Sequence, residues 1–232
     1  MKKQDLFFIA SCILIVAIFF CIIPLRDWFM EWSKAKDGRY FVLAFLKFGI
    51  LATTGESIGL RISKGVYNEK GFGLFPRFIV WGVLGVGISI AMSIFASGTI
   101  SFLHYCGLSL SATDITSQCF GIQLLYAFCV SFFMNTFFAP VLMTVHKITD
   151  THILENKGTL KVFFSPIAFG RIIQNLNWNV QWNFVFKKTI PFFWYPAHTI
   201  TFLLPSEYRV LFAALLGVVL GLILSIANLK HK

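Results

Sequence analysis

The chain has 232 residues, 57% hydrophobic and 13% charged, with 28 phenylalanines and a mean hydropathy of +0.75. A soluble domain of this length carries about 25% charged residues and cannot hide so much apolar surface from water. A soluble enzyme, a disordered chain and a disulfide-stapled secreted module are therefore excluded, which leaves an all-α, polytopic membrane bundle. The net charge of +10 comes from 20 Lys/Arg against 10 Asp/Glu. These basic residues lie between apolar runs rather than in one stripe, so they read as membrane orientation and contact with anionic lipid, not nucleic-acid binding.

Met1-Lys2-Lys3 precedes an apolar run over residues 6–24. The run is long for a signal-peptide core and lacks a small-x-small cleavage site, so it reads as an uncleaved first transmembrane helix. Residues 25–39 follow, with Trp28, Phe29 and Trp32 set among charges, as expected of an amphipathic segment in the headgroup layer. Residues 1–39 thus form an anchor with an interfacial segment, and 40–232 the main bundle. Five more apolar runs cover 40–60, 78–102, 120–145, 189–204 and 210–229. Most reach the ~20 residues that cross a ~30 Å core. The fifth is short and holds Pro191 and Pro196, with Pro205 just beyond, which predicts a proline-broken or re-entrant segment. Residues 167–186 place Ile172, Ile173, Leu176, Val180 and Phe184 on one helical face. They predict a helix on the cytoplasmic surface, although the alternation over 177–184 is also that of a strand.

About six spans with the N-terminus inside put only Arg26, Lys34, Lys36, Arg39 and Arg209 outside. Lys47 falls within a span, and the remaining fourteen of the 20 Lys/Arg fall on the cytoplasmic side. The positive-inside rule then favours both termini in the cytoplasm. The loop 105–119 has no Lys or Arg; Cys106 and Cys119 flank it and are close enough in sequence to pair if it is extracytoplasmic.

Small residues repeat every fourth position in four of the runs. Gly85, Ser89, Ser93, Ser97 and Ser101 form one row. Ala213, Gly217, Gly221 and Ser225 form a second, Ala127, Ser131, Asn135 and Ala139 a third, and Gly49, Thr53 and Ser57 a fourth. Lipid gives helices no hydrophobic drive to associate, so they meet where small-xxx-small rows let backbones approach. Close packing along these ridges is the expectation, and a homo-oligomer is left open.

Ionisable groups at membrane depth are costly and face a partner or a wet cavity. Lys47 either snorkels or lines an outer mouth. Glu56, one turn from the inner end of its run, needs a partner from another helix, because Lys47 lies nine positions away on the opposite face. Asn135, on a small-residue row, and His198, beside Pro196, are the candidate partners. Gly71-Phe72-Gly73 reads as a turn, since it lacks the dinucleotide fingerprint. His146, Asp150 and His152 read as a solvated face rather than a metal site. No HExxH, GxSxG or paired-carboxylate pattern points to an enzyme, and nothing calls for a cofactor.

The stretch from Trp194 through Pro196, Phe202, Pro205 and Arg209 to Ser225 resembles the Mpv17/PMP22 signature of Trp-Pro, Asn-Phe, Val-Pro-x-x-x-Arg and Leu-Ser. Gly55-Glu56 is similar to the family's Gly-Asp, Arg77 with Gly82 and Gly85 to its Arg-led glycine-rich helix, and Phe138-Ala139-Pro140 to its Asp-Gln-x-x-x-x-Pro stretch. The resemblance covers about 40–228. Tyr195 splits the Trp-Pro, Thr201 stands for the Asn, Met134-Asn135 replaces Asp-Gln, and the His-Trp-Tyr after the third span is missing; these departures fit a divergent, bacterial relative in a plasma membrane. The resemblance implies an integral membrane channel for ions or small metabolites. With the polar residues, it predicts a path lined by Glu56, Asn135 and His198, with Lys47 or Arg209 near the outer mouth. The alternative is a structural, partner-binding or lipid-binding membrane protein without transport.

Overall fold

The computed structural model describes residues 3–35, 37–108 and 115–229, and the backbone alone from 222 onward. Lys2, Lys36, Lys230 and Lys232 of the charge count, much of the 105–119 loop and the Ser225 side chain lie outside the described residues. The described chain is helical, with no strand.

Two compact units are present, Met1–Leu43 and Ala44–Lys232. In the first, α1 (Lys3–Cys21) gives way to α2 (Ile23–Lys34), whose first turn contains Pro24. Proline fits there because its missing N–H is one the first turn leaves unpaired anyway. The Trp28 and Trp32 rings lie 4.8 Å apart on α2. Arg39 pairs with Glu31 at 2.6 Å and Asp37 at 3.0 Å.

In the second unit the bulk of α3 (Gly38–Lys64) lies beside α4 (Leu74–Tyr105). α5 (Phe120–Phe133) passes through one wide π-turn, Met134–Phe138, into α6 (Ala139–Glu155). α7 (Phe169–Gln174) and α8 (Trp178–Val180) are short. α8 runs into a second wide-turn stretch, Gln181–Trp194, then α9 (Tyr195–Leu203) and α10 (Ser206–Leu229). Among the described residues, three helices are long and apolar enough to cross a membrane: Gly38–Lys64, Leu74–Tyr105 and Phe120–Glu155.

Three sequence expectations change here. Residues 167–186 do not form one surface helix. The Asn177 carboxamide oxygen accepts the Val180 N–H at 3.1 Å and so starts a new helix. The fifth run does not break at Pro191 or Pro196. Pro191 sits inside the wide-turn stretch and Pro196 in the first turn of α9, and the helix ends only at Leu204, extended ahead of Pro205. Finally, the row from Gly85 to Ser101 is not one contact ridge: Ser89 is fully buried while Ser93, Ser97 and Ser101 are exposed. Four residues advance a helix by about 40° beyond a full turn, so the row winds off the contact face.

The α3–α4 contact is made by phenylalanines seated on glycines. A Cβ on Gly82 would lie 2.4 Å from the Phe45 ring, and one on Gly85 only 2.3 Å from the Phe48 Cβ. Close backbone approach does occur where α3 meets α10: Gly55 lies against Val218 Cα, and Gly221 beside the Gly55 carbonyl. The Ala127–Ala139 row stays buried throughout, because the π-turn has more residues per turn and unwinds the drift. Cys106 and Cys119 are both free thiols.

Candidate functional site

The Gly71-Phe72-Gly73 turn sets one end of the site. Gly73 and Gly158 both take positive φ (75° and 64°), and a Cβ on Gly158 would lie 2.5 Å from the Gly73 nitrogen. Only two glycines allow this crossing, which presses the α3–α4 turn onto the end of α6. Gly158→Ala combines left-handed strain with this clash and is expected to cost about 1–3 kcal/mol. Thermal unfolding in detergent measures it, and an unchanged midpoint would show that the two loops are free to separate.

The turn places Phe72 beneath Arg77 in the first turn of α4. The Arg77 Nε donates to the Phe72 carbonyl at 2.8 Å, and its guanidinium lies 4.4 Å from the Phe72 ring centre. The guanidinium then bridges two carboxylates. It forms an ion pair with Glu56 of α3 and another with Asp150 of α6 at 2.5 Å. Glu56 also accepts the Trp81 indole N–H at 3.0 Å and faces His146 Nε2 at 3.4 Å. The Trp81 and His146 rings lie 4.3 Å apart. Lys147 approaches the other oxygen of Asp150 at 3.4 Å. Arg77 is only 6% exposed, so this is a buried network tying three helices together.

Beside it, Arg171 of α7 meets Glu155 at the end of α6 through two 2.8 Å hydrogen bonds. The carboxylate raises the Arg171 pKa above its ordinary value, by hydrogen bonding first and charge second.

The network lines one end of a cavity of about 440 Å³ that extends along α6 and the π-turn before it. Its walls include Phe48 and Gly55 of α3, Ile88 of α4, the inward side of the Met134–Met143 stretch through Asn135, Phe138, Ala139 and Leu142, Trp194, His198 and the Ala213–Gly221 face of α10. Glu56, Asn135 and His198 all line it. They are not partners of one another. The Asn135 amide donates to the Ser131 carbonyl at 2.8 Å and to its hydroxyl at 3.2 Å. His198 stacks on Trp194, with ring centres 5.1 Å apart, and approaches the Thr201 hydroxyl at 3.4 Å. The partner of Glu56 is Arg77, a residue the charge count assigns to a cytoplasmic segment.

Lys47 is buried on α3 but does not line the cavity. Nor does Arg209: its Nε donates to the Leu204 carbonyl at 2.9 Å and its guanidinium lies over Phe202, so it closes the end of α9. Of the motif residues, Trp194 lines the cavity, Phe202 is buried beneath Arg209, and Pro205 is exposed at the helix break. Gly217 and Gly221 both line the cavity, and the space above Gly217 is open, with nothing within 4 Å of a Cβ built there.

His146 and Asp150 do not form a solvated face; both turn into the network, while His152 is buried against the Val162 carbonyl at 3.1 Å. The overlooked signal is their spacing. His146 and Asp150 are four apart, as are Arg77 and Trp81, so each pair shares a helical face at the same end of its span as Glu56. Among the described residues no group of three or more His, Cys, Asp or Glu is placed to hold a metal ion. No family model, curated protein or solved structure matches this chain.

Proposed function

We propose that the chain is a multi-pass integral membrane protein whose bundle encloses a permeation path for ions or small solutes, as a divergent, bacterial relative of the Mpv17/PMP22 family would. The supporting observation is the cavity that Glu56, Asn135 and His198 line together, with the Arg77 network in its wall. The six-span count adds α1, α9 with the wide-turn stretch before it, and α10 to the three long apolar helices. The charge distribution is the reason for placing both termini in the cytoplasm; the bacterial plasma membrane rests on the family resemblance alone.

Flux of ions and of small neutral and charged metabolites into proteoliposomes tests the reading. Gly217→Phe directs a ring into open space and is expected to lower flux at least about tenfold without loss of folding. Glu56→Gln and His198→Ala are expected to alter rate or selectivity; unchanged flux at full expression removes both from the path. No flux of any solute class through the native protein favours the non-transporting, lipid-binding or partner-binding alternative.

A further inference from the structure

Trp194 is 7% exposed and lines the cavity, and its indole N–H is buried without a hydrogen-bond partner. An unpaired buried donor costs about 1–3 kcal/mol. The hydrophobic side chains of its cluster include Ala139, Ile190, Met143, Leu216 and Leu220, and the His198 ring stacks on its face, so a group that reaches the N–H also lies against apolar wall. The site therefore calls for an acceptor oxygen carried by an apolar body.

The rest of the cavity fits such a body. From Asn135 to Asp150 it follows about 20 Å of helix, and between its polar ends the wall is formed by Ala139, Leu142, Met143, Gly217 and Leu220. A charged head is disfavoured. The Arg77 guanidinium already faces Glu56, Asp150 and the Phe72 carbonyl, while the carboxylates face Arg77, the Trp81 N–H, His146 and Lys147. A further ion would enter without a counter-ion, at a desolvation cost of several kcal/mol.

We propose that the cavity is a binding site for an uncharged amphipathic molecule: an extended apolar body against Met143, Leu142 and Leu220, with a hydroxyl, ketone or ester oxygen accepting the Trp194 N–H. This rests on the permeation reading and narrows it to uncharged solutes, leaving ions out. It rests on the cavity being occupied in the working protein and does not require that the ligand cross.

The test uses the full chain in nanodiscs of phosphatidylethanolamine and phosphatidylglycerol, with a dodecanol analogue bearing a mid-chain diazirine as probe. After irradiation, peptide mass spectrometry locates the adducts. Saturable labelling at Leu142, Met143 or Leu220 is expected, displaced by dodecanol well below the concentration of dodecane that displaces it. Trp194→Phe keeps the ring and removes the N–H, and is expected to weaken dodecanol competition about tenfold while leaving dodecane unchanged. Gly217→Phe is expected to abolish the saturable labelling. Labelling confined to lipid-facing residues such as Val83 and Ile94, equal competition by the two compounds, or indifference to Trp194→Phe would each overturn the proposal. Saturable binding without flux of any solute overturns only the permeation reading, and flux without saturable binding overturns only this one.

Discussion

Arg77→Met is expected to lower stability by about 3 kcal/mol or more. The reason is what it leaves behind. Glu56 and Asp150 share one guanidinium, and without it two carboxylates on α3 and α6 are left half-buried around an apolar side chain. The loss belongs to the stranded charges rather than to the value of the ion pairs. Adding Glu56→Gln and Asp150→Asn to Arg77→Met is therefore expected to restore most of it. Unfolding midpoints in one detergent, with the monodisperse fraction on size exclusion, measure both variants. A triple variant no better than Arg77→Met would show that the guanidinium stabilises through its packing on Phe72 and its bond to the Phe72 carbonyl.

The second large effect separates two glycines that look alike in sequence. Gly82→Ala and Gly85→Ala each force a methyl into α3 and are expected to cost about 1–3 kcal/mol. At Gly82 the obstructing atoms belong to the Phe45 ring. Phe45→Ala removes them, so Gly82→Ala is expected to cost little in that background. At Gly85 the nearest atom is the Phe48 Cβ itself, which Phe48→Ala retains, so no comparable relief follows. A double-mutant cycle for each pair, read as unfolding midpoints, should give strong coupling for 45/82 and weak coupling for 48/85. Equal coupling would mean that the helices shift apart to accommodate either methyl.

What could be read in advance follows the physics of each signal. Long apolar runs declare themselves by length, and α3, α4 and the α5–α6 helix are three of the six runs read as spans. Glu56, Asn135 and His198 stood out because polar groups at that depth need a reason. Arg77 reads as a motif match and a topology charge rather than as the partner of Glu56, because a basic residue at the edge of a span is first counted as topology. Only the shared helical faces of Arg77 with Trp81 and of His146 with Asp150 point inward. The two wide-turn stretches were not legible either. Over one turn, a residue pattern does not separate five-residue from four-residue hydrogen bonding, and the wide turn at Met134–Phe138 is what keeps Asn135 and Ala139 on the buried side.

The order of the bridged charges along the chain bears on biosynthesis. Glu56 and Arg77 lie at facing ends of consecutive helices, so they can neutralise each other as soon as the α3–α4 hairpin leaves the ribosome. Asp150 emerges much later, when the cation is already engaged. A nascent chain ending before α6 would thus carry a matched pair into the bilayer, and release of the remaining chain would add an acid to a hairpin already in place.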